Sequence, residues 1–240
     1  VADNRLVICE ATGGYERHVL GACFAQGLDV HRAHGSRTRA FATYLGLAAK
    51  TDAIDARMLA LYGQRTPNLR LCRKQDDETE ALRQLRKRRD DLMSMIRMED
   101  NRLGQTHQPL LRRSISNHVR AMQKERERME AQISVLIASS PKMKQKAALI
   151  MSIKGVGPVT AQACLAYLPE LGELTKGQAA GLAGVAPIAR DSGKFKGRRH
   201  IAGGRGVFRS NLYMAALVAK NINPAMRAFA EKLKSRGKPN

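Results

Sequence analysis

Hydrophobic and polar positions fall into three successive patterns along the chain. Residues 5–9 form a short apolar run bounded by polar residues and then by Gly13-Gly14, the pattern of a parallel strand buried on both faces. Glu10 stands at its carboxyl end. Val19, Leu20, Cys23 and Phe24 recur at helical spacing over 15–26, Gly27 closes that helix, and 28–33 reads as a second strand, so a β-α-β unit is expected. A helix over 36–49 follows, then another that opens with Thr51 as N-cap and runs to about Gly63. Thr66-Pro67-Asn68 breaks the pattern, residues 69–72 are short and strand-like, and a domain edge falls nearby.

The second pattern is a pair of heptad seams. Leu82, Leu85, Arg89, Leu92, Ile96, Glu99 and Leu103 alternate by three and four, and so do Ile115, Val119, Met122, Arg126, Met129, Ile133 and Leu136. A gap at 104–109 suits a turn, which predicts an antiparallel coiled-coil hairpin with Arg89, Glu99 and Arg126 as polar seam positions. Met93, Met95 and Met98 are left partly uncovered, so the hairpin is expected to associate with a second copy. The charges over 86–91 read as a solvated face.

In the third pattern glycines punctuate short helices. A helix leads into Lys154-Gly155-Val156-Gly157-Pro158, and a new helix follows to Leu168, a helix-hairpin-helix signature. Its exposed backbone N–H groups suit a DNA phosphate, or the glycines simply make a tight interhelical turn. A glycine-rich stretch over 181–187 delivers the chain to Asp191-Ser192-Gly193-Lys194-Phe195-Lys196-Gly197-Arg198-Arg199, then Gly203-Gly204-Arg205-Gly206 and Arg209. A helix over 207–220 and a mobile basic tail over 232–238 complete the chain. The fold class is therefore α/β followed by all-α, in three parts: 1–72, 73–140 and 141–240.

Charge narrows the partner. The chain has 42 lysines and arginines against 21 acidic residues, a formal net charge of +21, and residues 190–240 hold thirteen of those cations against Asp191 and Glu231. Nucleic acid fits this balance; an absence of tryptophan argues against a base-stacking platform for single strands and leaves double-stranded DNA as the expected partner. Four cysteines without metal spacing fit a reducing cytosol, and neither a signal peptide nor an apolar run of membrane-spanning length is visible.

Two clusters carry candidate chemistry. Ser192 sits among glycines and the cations Lys194, Lys196, Arg198, Arg199, Arg205 and Arg209; it either attacks a phosphorus atom or caps a turn. Asp52 and Asp55, three apart on one helical face, either hold a divalent cation with Glu10 or complement the helix dipole.

Glu10-Ala11-Thr12-Gly13-Gly14-Tyr15-Glu16, Lys50-Thr51-Asp52-Ala53-Ile54-Asp55-Ala56, the glycine turn, and Asp191-Ser192-Gly193 with Gly203-Gly204-Arg205 occur in the order in which DEDD-type insertion-sequence transposases carry them. From Glu10 to about Lys220 the chain resembles that family, which includes relatives of the pilin-gene invertase and of the bridge-RNA-guided recombinases. The resemblance implies a RuvC-like, RNase H-type domain, a coiled-coil linker and a C-terminal transposase domain. It implies Mg²⁺ on Glu10, Asp52 and Asp55, and Ser192 as the nucleophile that holds a DNA end as a phosphoserine ester. Lys154, Gly155 and Gly157 join the loop cations as nucleic-acid contacts, and homo-oligomers guided by a structured RNA are expected. The family's first aspartate lies upstream of the glutamate, on a strand that only nine residues before Glu10 leave no room for. An N-terminally incomplete and inactive domain is thus expected, unless Glu16 or Asp29 completes the acidic set. The competing expectations are a metal-dependent junction nuclease and a non-catalytic nucleic-acid-binding fragment.

Overall fold

In the computed structural model, which describes residues 5–49, 51–193 and 195–237, the first apolar run is strand β1 (Leu6–Glu10). Helix α1 (Glu16–Ala25) returns the chain to β2 (Asp29–Ala33), and the strands pair in parallel with Leu6 opposite Asp29 and Glu10 opposite Ala33. Helices α2 (Gly35–Tyr44) and α3 (Asp52–Arg65) complete a compact unit over Val1–Gln75. Thr51 caps α3 as its type requires, its hydroxyl oxygen accepting the Ile54 N–H at 3.3 Å. The core of this unit is small: Cys23, Val30, Ala33, Met58 and Tyr62 are buried. Helix α3 runs two residues beyond Gly63, where an added Cβ would lie 2.7 Å from Ile8 Cγ1. That glycine costs the helix about 1 kcal/mol in propensity, and it lets α3 lie directly on β1.

Two expectations here are corrected. The helix over 36–49 stops at Tyr44, because Gly46 takes a left-handed φ of 70° that ends the turn. Residues 69–72 form no strand, yet the Cys72 N–H donates to the Val30 carbonyl at 2.7 Å and His31 Nδ1 lies 2.8 Å from the Arg70 carbonyl. The segment thus satisfies groups along β2 without building a ladder.

The second unit, Asp76–Asn240, begins with the helical hairpin α4 (Asp77–Gln105) and α5 (Pro109–Ser139). Asp76 caps α4 by accepting the Thr79 N–H at 2.7 Å, and Pro109 opens α5 at the first position, where its missing N–H costs nothing. Leu82 of α4 meets Ile133 of α5 in one cluster, and Leu92 and Ile96 meet Val119 and Met122 in another, so the helices run antiparallel. Pro141 ends α5 and starts α6 (Pro141–Met151); the buried Ser140 between them donates its hydroxyl to Glu78 Oε2 at 2.6 Å.

Helix α7 (Pro158–Tyr167) is the centre of this unit: Thr160, Ala161, Ala163, Cys164, Leu165 and Ala166 are all buried. Its alanines let neighbours approach on every side. Leu165 and Ala166 join the α4–α5–α6 core, while Ala163 and Cys164 join Leu168, Ala183 and Phe208. Burial pushes the Cys164 thiol up to about 11, which makes it an inert packing group. Helices α8 (Lys176–Ala183), α9 (Gly206–Ile222) and α10 (Pro224–Ser235) follow, with β3 (Pro187–Ile188), β4 (Asp191–Ser192), β5 (Phe195–Lys196) and β6 (His200–Ile201) inserted before α9.

The basic tail is corrected too. Residues 224–235, including Lys232 and Lys234, are helical, started by Asn223, whose side chain accepts the Ala225 and Met226 N–H groups, and by Pro224 behind it. Asn-Pro is a cap-and-first-position pair, a signal overshadowed by the charge of the stretch.

The 86–91 segment is not a uniformly solvated face. Lys87, Arg88 and Asp91 are exposed, but Arg86 is 0% exposed. Its Nη1 donates to the Val159 carbonyl at 3.0 Å, its Nη2 to Asn211 Oδ1 at 2.8 Å, and its Nε pairs with Asp90. Tyr167 donates its hydroxyl to the same Asp90 at 2.8 Å, and Arg89 bridges Asp90 to Glu130 on α5. Removing one member of a buried ion cluster strands the others, so Arg86→Ala is expected to destabilise the protein by about 3–5 kcal/mol. Lys87→Ala, one residue on, should change stability by less than about 0.5 kcal/mol. Urea unfolding followed by far-ultraviolet circular dichroism measures both, and equal effects would remove Arg86 from the role given to it here.

Candidate active site

Glu10 occupies the carboxyl end of β1, where parallel strands present their functional groups. Its carboxylate meets the first turn of α2: the buried Thr38 donates its hydroxyl to Glu10 Oε2 at 2.8 Å, and a Cβ on Gly35 would stand 2.9 Å from Oε1. A side chain at 35 would have to displace this carboxylate. Thr38 carried no sequence signal, since its partner lies 28 residues away.

Asp52 and Asp55 lie in the first turn of α3, as their spacing predicts. They do not converge with Glu10: among the described residues no group of three or more His, Cys, Asp or Glu side chains is placed to hold a metal. The donor types suit a hard cation, but this arrangement does not fit one. Nor do Glu16 or Asp29 join Glu10. Asp29 pairs with Leu6, at the opposite end of the strand pair from Glu10 and Ala33.

Glu16 has a structural commitment of its own. Nearly buried, it accepts the Gly14 N–H at 2.8 Å and the Thr12 N–H at 3.2 Å, and pairs with Arg32 at 3.4 Å. It thereby holds the turn in which Gly13 and Gly14 take φ of 76° and 123°, values that favour glycine. Burial alone would push its carboxyl up. The backbone N–H groups of Glu16 itself, Gly14 and Thr12, with Arg32, outweigh this and hold it below its ordinary value.

Ser192 lies near the tip of an antiparallel hairpin over residues 187–201. Pro187 pairs with Ile201 and Ile188 with His200 at the base; Asp191 pairs with Lys196 and Ser192 with Phe195 at the tip. Gly193, at φ 55°, turns the chain immediately after the serine. The hydroxyl is exposed and among the described residues has no hydrogen-bond partner, so nothing here withdraws its proton. Arg198 and Arg199, on the returning side of the hairpin, are exposed; Lys194 lies outside the described residues, and only the backbone of Lys196 is described.

The glycines below the hairpin serve backbone-to-backbone approach within the protein. Gly184 ends α8 in the left-handed conformation, and a Cβ on Gly204, itself at φ 68°, would fall 2.3 Å from Gly184 Cα. The Arg205 N–H donates to the Leu182 carbonyl at 2.8 Å, closing the junction.

Two of the cations grouped with the serine are also used internally. Arg205 donates through both Nη atoms to the two Glu170 oxygens, each at 2.8 Å, and through Nη1 to the Tyr167 carbonyl. Arg209 donates to the Gly184 and Gly203 carbonyls at 3.1 and 3.2 Å. Glu170 has no motif to mark it in the sequence.

The glycine turn between α6 and α7 is built as the pattern suggests locally. Gly155 takes φ 102° and presses on α9, where its Cβ would fall 2.5 Å from Ala219 Cα; Gly157 is the N-cap of α7. Lys154 is exposed, and its carbonyl accepts from Asn223 Nδ2 at 3.3 Å.

Comparison with known proteins follows the same divisions of the chain. A family model described as "Transposase IS116/IS110/IS902 family" matches residues 147–231, and an IS110 DEDD model described as "Transposase" matches residues 2–109. The pilin gene-inverting proteins of Moraxella lacunata and Moraxella bovis are each 26% identical over 237 residues, 97% of this chain and 73% of theirs. The insertion element IS110 uncharacterized 43.6 kDa protein of Streptomyces coelicolor is 28% identical over 127 residues, 52% of this chain and 30% of its own.

The Glu16 turn has a measurable signature. A carboxyl held low by folding contributes stability that is present above its unfolded value of about 4.3 and is lost as pH falls through the folded value. The melting temperature of the protein should therefore exceed that of Glu16→Gln by its full margin above about pH 5, and the gap should close as pH drops below the folded value. Melting curves between neutral pH and pH 3 test this; a gap independent of pH would show that the charge of Glu16 does not hold the turn.

Proposed function

Because this chain belongs to the IS110-type transposase and recombinase family, we propose that it cuts and rejoins DNA at an insertion-sequence end through a phosphoserine intermediate on Ser192. The observation that carries this reading is the exposed hydroxyl at the turn of a basic hairpin, inside the segment matched by the family model. Attack of Ser192 Oγ on a backbone phosphorus forms one phosphorus–oxygen bond and breaks another. The serine proton is the one the departing deoxyribose oxygen needs, so transesterification balances in bonds and protons. The ester keeps the bond for religation, whereas hydrolysis would discard it. Arg198 and Arg199 of the hairpin, with Lys194 and Lys196, supply charge for the phosphoryl oxygens.

The chain then comprises a RuvC-like domain over 1–72, a coiled-coil linker over 73–140, and a serine domain over 141–240 that uses Lys154, Gly155 and Gly157 as a helix-hairpin-helix phosphate grip. The family points to a divalent metal, and Mg²⁺ on Glu10, Asp52 and Asp55 is our assignment from residue type. Those side chains do not meet in this arrangement, so no chemical step is drawn through a metal. Double-stranded DNA is the substrate, a structured RNA its guide, and the methionine-bearing face of the α4–α5 hairpin, with Met95 and Met98 exposed, the oligomer contact. No helix among the described residues is long and apolar enough to cross a membrane.

Incubation with labelled element-end DNA and Mg²⁺, with and without candidate guide RNA, should leave label covalently attached to the protein. Ser192→Ala should bind DNA with unchanged affinity and lose at least about a thousandfold in adduct formation. Cleavage without any adduct would establish the metal-dependent nuclease instead, and binding without cleavage the non-catalytic protein.

DNA affinity should also fall steeply with salt, by roughly a thousandfold between 50 and 200 mM if about six phosphates are neutralised. A flat response, read by fluorescence anisotropy, would assign the +21 charge to another partner.

A further inference from the structure

Arg205 directly follows a glycine pair and stands beside the serine hairpin, where a guanidinium could serve DNA phosphate or the protein. Its geometry favours the protein. Both Nη atoms reach the two Glu170 oxygens at 2.8 Å, a planar fork that uses the donor pair a phosphate would need. Nη1 also donates to the Tyr167 carbonyl, and the main-chain N–H of Arg205 is held by Leu182. The anchor is itself fixed: Tyr167 donates its hydroxyl to Asp90 at 2.8 Å, within the cluster organised by the buried Arg86. Burial, the hydrogen bond to Asp90 and its charge push the Tyr167 hydroxyl far above its ordinary value, so it remains a donor.

We propose that Glu170 is a positioning residue for the Ser192 hairpin: its fork to Arg205 locks the returning strand of the hairpin to the end of α7, and Arg205 is committed to that lock and not to DNA. The chain of contacts runs from α4 through Asp90 and Tyr167 to Arg205, and from there to Gly204 against Gly184 at the foot of the hairpin. The β-bridges pair the hairpin's own strands, so its orientation depends on the contacts at its foot, and a nucleophile delivers its rate only when held near the attack geometry. This inference rests on the serine reading for its catalytic consequence, but not for its structural one.

The parent protein, Glu170→Gln and Glu170→Asp are compared in three measurements. At saturating DNA, Glu170→Gln should form adduct at least about tenfold more slowly, with Glu170→Asp recovering part of the rate. DNA affinity and the slope of log affinity against log salt should stay at the parent values; Arg198→Gln, which removes an exposed cation, should flatten that slope by about 1. Hydrogen exchange over residues 187–201 should accelerate in Glu170→Gln and not in Arg198→Gln. Tighter DNA binding or a steeper salt slope in Glu170→Gln, with adduct formation intact, would overturn the proposal, because removing that acid would then have freed Arg205 for phosphate. If the parent protein forms no adduct, the serine reading fails alone: accelerated hairpin exchange at constant salt slope still supports the lock, and unchanged exchange refutes it.

Discussion

The helical unit depends on one buried guanidinium. An arginine removed from water costs several kcal/mol unless its donors are all met, and Arg86 is met by groups on three elements: Asp90 on its own helix, the Val159 carbonyl in the first turn of α7, and Asn211 on α9. Few arrangements of α4, α7 and α9 satisfy all of them at once. The charge therefore selects a packing as much as it stabilises one. Apolar contacts such as Leu82 with Ile133 supply the driving force, but alanine-rich faces like that of α7 slide easily, and the directional bonds to Arg86 set the register.

From that anchor the arrangement propagates outward. Asp90 holds Tyr167, the residue that ends α7; its carbonyl and Glu170 hold Arg205, which starts α9; Arg209 and the Gly184–Gly204 contact hold the base of the serine hairpin. Among the loop glycines, Gly197 and Gly204 allow close approach of one main chain to another. The hairpin tip, by contrast, is exposed, with Ser192 and the arginines at 198 and 199 turned to solvent. The foot is tied by main-chain and guanidinium contacts, and the tip is open to solvent.

The β-α-β unit follows the same logic on a smaller scale. Two of its carboxylates are placed individually by hydrogen bonds from this chain: Glu10 by Thr38, and Glu16 by the N–H groups of the turn it closes. Glu16 is a loop-forming acid, while Glu10 is an acid at a strand end with a hydroxyl partner. The two residue types are identical, and only their surroundings separate the roles.

The sequence by itself determined the order and type of most elements, because strands, helices and caps follow local periodicity and local turn chemistry: β1, β2, the α4–α5 seams, the Thr51 cap and the glycine turn at 155–157 are written within a few residues of themselves. It also placed Glu10 at a strand end and Ser192 among cations. Local patterns mislead where one residue breaks the rule of its neighbours, as Arg86 does inside an otherwise charged run, and where charge masks a cap, as at Asn223-Pro224. Only the tertiary structure decided which charges are buried, which arginines are already engaged, and whether Glu10, Asp52 and Asp55 meet. Those outcomes depend on pairs distant in sequence, such as Arg86 with Asn211, 125 residues apart, or Glu10 with Thr38, 28 apart. No periodicity encodes such pairs; they exist only once the apolar faces have packed and brought the polar groups within hydrogen-bonding reach.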